Sequence, residues 1–302
     1  MLNSLSEEIL RLKKERNAII LAHNYQIPEV QDAADIVGDS YSLSRHAAET
    51  DSEVIVFCGV HFMAESAKIL SPDKTVLLPV RDAGCPMADM VTASGLRKMK
   101  ARHPDAAVVC YVNSSAEVKA ESDICCTSSN ALKVVESLEN KQVIFIPDKN
   151  LGSYIASKVR GKEIILWEGF CITHKRVKVE EVQKIRQLHP DAKILMHPEC
   201  EPEVLKLADF IGSTSEIIRY AGEIPEKNII IGTEEGVLHL LKKRNPDKNF
   251  YLLSTGLICA NMKKTRLEDV HNALLHMQHQ IHVDEAVRIK AMKALERMLE
   301  IK

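Results

Sequence analysis

Residues 19–40 read I-I-L-A-H-N-Y-Q-I-P-E-V-Q-D-A-A-D-I-V-G-D-S, and their pattern returns twice further along the chain. Residues 107–128 read A-V-V-C-Y-V-N-S-S-A-E-V-K-A-E-S-D-I-C-C-T-S, and residues 193–214 read K-I-L-M-H-P-E-C-E-P-E-V-L-K-L-A-D-F-I-G-S-T. One frame underlies all three. An apolar run ends at His23, Tyr111 or His197; Glu-Val pairs follow at 29–30, 117–118 and 203–204; aspartates stand at 35, 123 and 209; Ser40, Ser128 and Thr214 close the copies. Positions 23, 111 and 197 are 88 and 86 residues apart, and the aspartates repeat both intervals. Register held over such distances identifies internal repetition, which decides the fold.

The frame runs on past these stretches. V-I-V-F-C-G-V-H-F-M-A-E at 54–65 is matched by V-I-F-I-P-D-K-N-L-G-S-Y at 143–154 and by I-I-I-G-T-E-E-G-V at 229–237. A third apolar run follows in each copy, at 76–80, 163–167 and 250–253, and a few residues later comes a cysteine: Cys85, Cys171, Cys259. Each copy therefore delivers one thiol at the same structural place.

The short continuous apolar runs suit strands buried on both faces of a parallel sheet. Pro28 suits the first turn of a helix that should stop near Gly38. Strand and helix alternate thereafter, with three strands expected per copy. The reading is α/β: three repeated three-layer α/β/α units with small parallel sheets around a pseudo-threefold axis. The units are expected at residues 1–88, 89–175 and 176–264. Two closing helices, 265–279 and 284–301, are expected to pack back on the first unit. His103-Pro104-Asp105-Ala106, repeated at 189–192, reads as a turn.

With 40 basic and 42 acidic residues and no basic block, nucleic acid is a poor candidate partner. The charged amphipathic start does not resemble a signal peptide, and no apolar run approaches the roughly 20 residues that span a bilayer. A cytoplasmic protein with no membrane partner is expected. Eight cysteines in that setting point to metal or redox chemistry more than to disulfides.

In parallel α/β sheets, ligands bind outside the carboxyl ends of the strands. His23, Tyr25, Tyr111, Asn113, His197, Glu199 and the three in-register cysteines fall at or just after predicted strand ends, so a threefold arrangement would line one cavity with them. Gly38-Asp39-Ser40, Thr127-Ser128-Ser129 and Gly212-Ser213-Thr214 precede predicted helices. Their hydroxyls are either plain N-caps or, with the free helix N–H groups, sites for a carboxylate or phosphate. Three converging thiols imply zinc or an iron–sulfur cluster. A structural zinc site more often brings paired C-x-x-C hooks, and the chain has none. The three thiols would hold a [4Fe-4S] cluster with one iron free to act as a Lewis acid. Cys58, Cys110, Cys125, Cys126 and Cys200 read as packing residues. Acids and bases around such a cavity suit enolisation, carbon–carbon bond formation and dehydration. His23 and His197 also fit plain structural histidines.

The chain resembles the quinolinate synthases over essentially its whole length. The motifs that carry the likeness are A-H-N-Y-Q-I-P-E-V-Q-D at 22–32, G-D-S at 38–40, G-V-H-F-M-A-E at 59–65, C-P-M-A at 85–88, Y-V-N-S at 111–114, T-S-S-N at 127–130, P-D-K-N-L-G at 147–152, G-F-C-I-T-H at 169–174, H-P-E-C at 197–200, G-S-T at 212–214, G-T-E-E-G at 232–236 and C-A-N-M-K at 259–263. The resemblance implies condensation of iminoaspartate with dihydroxyacetone phosphate to quinolinate, phosphate and water, a step of NAD biosynthesis. It implies a [4Fe-4S] cluster on Cys85, Cys171 and Cys259. It implies substrate contacts from His23, Asp39, Ser40, Tyr111, Asn113, Ser128, His174, His197, Glu199, Ser213 and Thr214, with Tyr25, Glu199 and His23 as catalytic residues. An L-aspartate oxidase or dehydrogenase would supply the imine. Some members carry a cysteine-rich C-terminal motif, but this chain has no cysteine after Cys259. Competing readings are a diphthamide-type cluster enzyme that cleaves S-adenosylmethionine, the reductive dehydratase type of isoprenoid synthesis, and a non-catalytic iron or oxygen sensor. Neither enzyme type is known for H-N-Y-Q-I-P-E-V or H-P-E-C, and a sensor would not need a lining of acids and bases.

Overall fold

In a computed structural model, which describes residues 2–301, the chain opens with α1 (Leu2–Glu15) and then runs through three units. The first holds β1 (Ala18–His23), α2 (Pro28–Ala33), β2 (Ile36–Gly38), α3 (Ser40–Glu49), β3 (Val54–Cys58), α4 (His61–Leu70) and β4 (Thr75–Leu77). The second holds α5 (Ala93–Arg102), β5 (Ala107–Tyr111), α6 (Ala116–Ala120), β6 (Ile124–Cys126), α7 (Ala131–Ser137), β7 (Gln142–Ile146), α8 (Lys149–Lys158) and β8 (Glu163–Leu166). After α9 (Ile172–Lys175) and α10 (Val179–Leu188), the third holds β9 (Lys193–Met196), α11 (Pro202–Leu205), β10 (Phe210–Ile211), α12 (Thr214–Glu223), β11 (Asn228–Gly232), α13 (Val237–Arg244) and β12 (Asn249–Leu252). The chain ends with α14 (Leu267–His276) and α15 (Glu285–Glu300). No helix among the described residues is long and apolar enough to cross a membrane.

Each unit is a four-stranded parallel sheet, in the orders β2-β1-β3-β4, β6-β5-β7-β8 and β10-β9-β11-β12. Sequence led to three strands per unit; the additional one is the two- or three-residue piece beside the first strand. The repeated aspartate makes it. Asp35, Asp123 and Asp209 each exchange two bonds with the neighbouring strand. Their backbone N–H groups donate to Ile20, Val108 and Ile194 oxygens, and their carboxylates accept those residues' N–H at 2.8, 2.7 and 2.8 Å. This clamp draws the next residues alongside β1, β5 and β9. It also explains why α2 stops at Ala33, well short of the Gly38 expected from sequence.

The first and second units share one apolar core, in which Leu21, Phe57, Val109 and Phe145 are sealed from solvent. The third sheet has a core on each face. α14 packs on α1, α2 and β3. α15 departs from expectation. It lies chiefly on α6 and β6 of the second unit and also touches α4 of the first, so it straddles the two. Asn130 Nδ2 donates to the Met298 carbonyl at 3.2 Å and Arg297 to the Asp123 carbonyl at 2.7 Å. The apolar face of α15 (Ala291, Ala294, Leu295, Met298) closes the core that those units share.

Candidate functional site

The carboxyl ends of the three sheets face one cavity of about 230 Å³. His23 ends β1 and Tyr111 ends β5, while His197 follows β9 directly. Tyr25, Asn113 and Glu199 each stand two residues further on and are also repeat-equivalent. At two of these ends the backbone does the same thing. The Tyr25 N–H donates to His23 Nδ1 at 3.2 Å, and the Glu199 N–H donates to His197 Nδ1 at 3.3 Å. An Nδ1 that accepts leaves Nε2 to carry the proton in the neutral ring. Burial lowers His23 to about 4 and His197 to about 3, so both are neutral near pH 7. His197 Nε2 faces Ser128 Oγ at 3.2 Å.

Glu199, 4% exposed, is the electrostatic centre of the site. Tyr111 donates to its Oε1 at 2.7 Å, and His174 Nδ1 lies 2.7 Å from its Oε2. Burial pushes this carboxyl up, but His197, His174 and the two hydrogen bonds outweigh it and hold it well below the usual range. Asn150 Nδ2 fixes the Glu199 carbonyl at 3.0 Å. Tyr25 is displaced the opposite way: burial first, then the Glu199 charge, raise it well above its ordinary value. Its hydroxyl is bonded to Thr214 Oγ1 and Thr233 Oγ1, both at 2.8 Å.

The helix starts supply the polar wall. Asp39 caps α3 by accepting the Ser42 N–H, and its other oxygen accepts from Ser129 at 3.2 Å and Ser215 at 2.5 Å. One carboxylate thus joins all three units. The caps of α3 and α12 are Asp39 and Ser213, one residue earlier than Ser40 and Thr214. Ser40 and Thr214 are therefore spared the capping role and line the cavity. Asn113 Oδ1 is buried on the cavity wall with no hydrogen-bond partner. A buried acceptor left without a donor costs about 1–3 kcal/mol, which a bound ligand's donor would recover.

Cys85, Cys171 and Cys259 all line the cavity, and none is in a disulfide. Burial pushes the Cys85 thiol up to about 12 and raises the other two, while backbone N–H groups of Ala88 and Met87, of His174, and of Met262 and Asn261 pull the respective sulfurs down. Each cysteine heads a short turn whose N–H groups aim at its sulfur. Among the described residues, the set of three metal-binding atoms drawn within 4.8 Å of one another comes from Cys171, His174 and Glu199.

Of the residues singled out from sequence, His23, Tyr25, Asp39, Ser40, Cys85, Tyr111, Asn113, Ser128, Cys171, His174, His197, Glu199, Thr214 and Cys259 meet at this cavity. Ser213 does not. It is sealed beneath the wall as the α12 cap, where its hydroxyl is bonded to Glu216. Thr233, which bonds both Tyr25 and His174 Nε2 (3.0 Å), was not singled out, although it lies inside the G-T-E-E-G motif. Ser215, one partner of Asp39, was not singled out either; like Ser129, the other partner, which stands in the Thr127-Ser128-Ser129 run, it is the third hydroxyl in a run of three.

The family model described as Quinolinate synthetase A protein matches residues 7–300. Among curated proteins, the chain is 64% identical over 299 residues to the quinolinate synthase of Alkaliphilus metalliredigens, spanning 99% of each chain. It is 60% identical over 297 residues to that of Caldicellulosiruptor bescii (98% of each). It is 55% identical over 294 residues to that of Clostridium perfringens, covering 97% of this chain and 98% of the relative.

Proposed function

The chain belongs to the quinolinate synthase family, enzymes of NAD biosynthesis, and from that membership and its cavity we propose that it condenses iminoaspartate with dihydroxyacetone phosphate to quinolinate, phosphate and water. The observation that carries the reading is the convergence of one thiol and one pair of strand-end polar groups from each unit on a single buried space.

Cys85, Cys171 and Cys259 would hold a [4Fe-4S] cluster. The three thiols reach the cavity from three separate turns and the chain has no paired C-x-x-C hooks of the kind a structural zinc site more often brings, which supports a cluster over zinc. When bound, such a cluster supplies a Lewis acid at the iron that lacks a cysteine, able to polarise a substrate carboxylate or hydroxyl.

The protein's own groups divide acid from base. Tyr25 is kept protonated and serves as proton donor; Glu199 is kept ionised and serves as acceptor. The neutral rings of His23 and His197 present Nε2–H groups to substrate oxygens, and Asn113 Oδ1 accepts from a substrate N–H or O–H. Ser40 and Thr214, at the first turns of α3 and α12, with Ser128 before α7, would bind the phosphate and carboxylates, where helix N–H groups favour negative charge. The buried side chains of the lining, His23, His174, His197 and Glu199 among them, limit the water that reaches labile imine and enol intermediates. Oxidation of the aspartate amine must supply the imine, which makes an L-aspartate oxidase or dehydrogenase the upstream partner.

The test is quinolinate formation from the two substrates by protein reconstituted anaerobically with iron and sulfide. Product that is lost in air supports both reaction and cluster. A loaded protein that makes no quinolinate but cleaves S-adenosylmethionine would overturn the substrate assignment.

A further inference from the structure

Behind two of the three cysteines lies a buried carboxylate that no substrate role absorbs. Asp148, fully buried, accepts the Cys171 backbone N–H on Oδ2 at 3.0 Å and caps α8 by accepting the Leu151 N–H on Oδ1 at 2.7 Å. Glu234, also fully buried, accepts the Cys259 backbone N–H on Oε1 at 3.0 Å and the Gly236 N–H on Oε2 at 2.8 Å. The two acids are repeat-equivalent, because the N–H of the next residue makes the same bond in every unit. Lys149 donates to the Gly169 carbonyl at 2.8 Å, Glu235 to the Leu257 carbonyl at 2.9 Å, and His61 to the Ala83 carbonyl at 2.8 Å. By that register the first unit carries Val60 where the others carry an acid. Among the described residues, no side-chain carboxylate takes the Cys85 N–H.

We propose that Asp148 and Glu234 are positioning residues for the metal centre, each holding its unit's ligating cysteine by the backbone, and that Cys85 is held without such an anchor. The inference rests on the cluster reading given above. Physically, each acid ties the cysteine's turn to a fixed element. Asp148 joins the Cys171 turn to the start of α8, and Glu234 joins the Cys259 turn to the backbone entering α13. Metal-ligand geometry is commonly set by such outer partners, whose loss weakens metal retention about 10- to 100-fold. Lys263, 3.0 Å from Glu234 Oε1, also donates to the Tyr25 carbonyl at 2.8 Å, so the third unit's anchor is joined to the first unit's strand end.

The experiment reconstitutes the parent, Asp148→Ala, Asp148→Asn, Glu234→Ala and Glu234→Gln anaerobically. Iron and sulfide per chain are counted, and the rate at which a ferrous chelator strips the iron is followed. The amides keep one accepting oxygen and the shape of the side chain, so they remain informative if the alanine variants do not fold. Iron loss about tenfold or more faster in the alanine variants, and intermediate in the amides, is expected. In chains that still hold full iron, the electron paramagnetic resonance signal of the reduced cluster should be altered; a residue that only supports the fold would leave it unchanged. Variants that lose iron within twofold of the parent rate and keep its signal would overturn the proposal while leaving the cluster reading intact. A parent that binds no cluster would remove that reading and this inference together.

Discussion

Gly236 gives a sharp test of how the units set the site. It is buried against the first unit's strand end, and a Cβ there would lie 2.7 Å from Tyr25 Cα, 2.8 Å from the Asn24 carbonyl oxygen and 2.8 Å from Tyr25 C. Every obstacle is backbone. Ordinary contact begins at 3.4 Å, so Gly236→Ala forces the two segments apart by 0.6–0.7 Å. Moved by that much, the Tyr25 hydroxyl passes from 2.8 Å to the limit of hydrogen bonding with Thr214 and Thr233. Overpacking costs about 1–3 kcal/mol and each weakened bond about 0.5–1.5 kcal/mol. A 1 Å misplacement of a reacting group costs on the order of a hundredfold in rate, so about a ten- to hundredfold loss is expected here. Steady-state quinolinate formation at equal iron content, with urea unfolding alongside, measures both. Gly222→Ala, in α12 with its nearest obstacle at 3.4 Å, is the control and should keep full activity. A Gly236→Ala enzyme within twofold of the parent would refute the claim that this backbone contact places Tyr25.

Removing the two groups proposed to transfer protons should act on turnover more than on folding: Tyr25→Phe and Glu199→Gln, compared with the parent at equal iron content, should lose about 10²- to 10⁴-fold in kcat. The cluster-free protein should lose stability in acid. His23 and His197 sit below their ordinary value of 6.5, so the unfolded chain binds more protons, and stability is shed as pH falls from 6.5 toward about 4 and about 3. At pH 5 this is about 2 kcal/mol for each histidine, to be read as a drop in urea midpoint that His23→Asn or His197→Asn diminishes. Asp123→Ala strips the acceptor from the Val108 N–H and should cost about 1–3 kcal/mol, measured by the same unfolding curves.

Much of this architecture could be read from the sequence because the repeat carries it. The Glu-Val pair, the aspartate and the closing hydroxyl each do one job three times over: Val30, Val118 and Val204 are buried, and the aspartates clamp the edge strand. Elements without a periodic signature were less legible. The edge strands β2, β6 and β10 are two or three residues long, below the length at which alternation is detectable, and they form only because an aspartate side chain binds a strand distant in sequence. The caps fell one residue early because Asp39 and Ser213 compete with the hydroxyls that follow them, and local sequence does not rank such neighbours. The seat of α15 depends on which core is left open once the first two units have met. Single residues such as Thr233 act through partners about 60 and 200 residues away, and only the folded chain pairs them.

The central claim is that one cysteine from each unit builds the centre on which catalysis depends. The most direct measurement is iron, sulfide and quinolinate yield for Cys85→Ala, Cys171→Ala and Cys259→Ala beside Cys58→Ala and Cys200→Ala, all reconstituted anaerobically. The account predicts that each of the first three loses cluster and product together, while the buried Cys58 and Cys200 variants keep both. Full iron and full turnover in any one of the first three would contradict it.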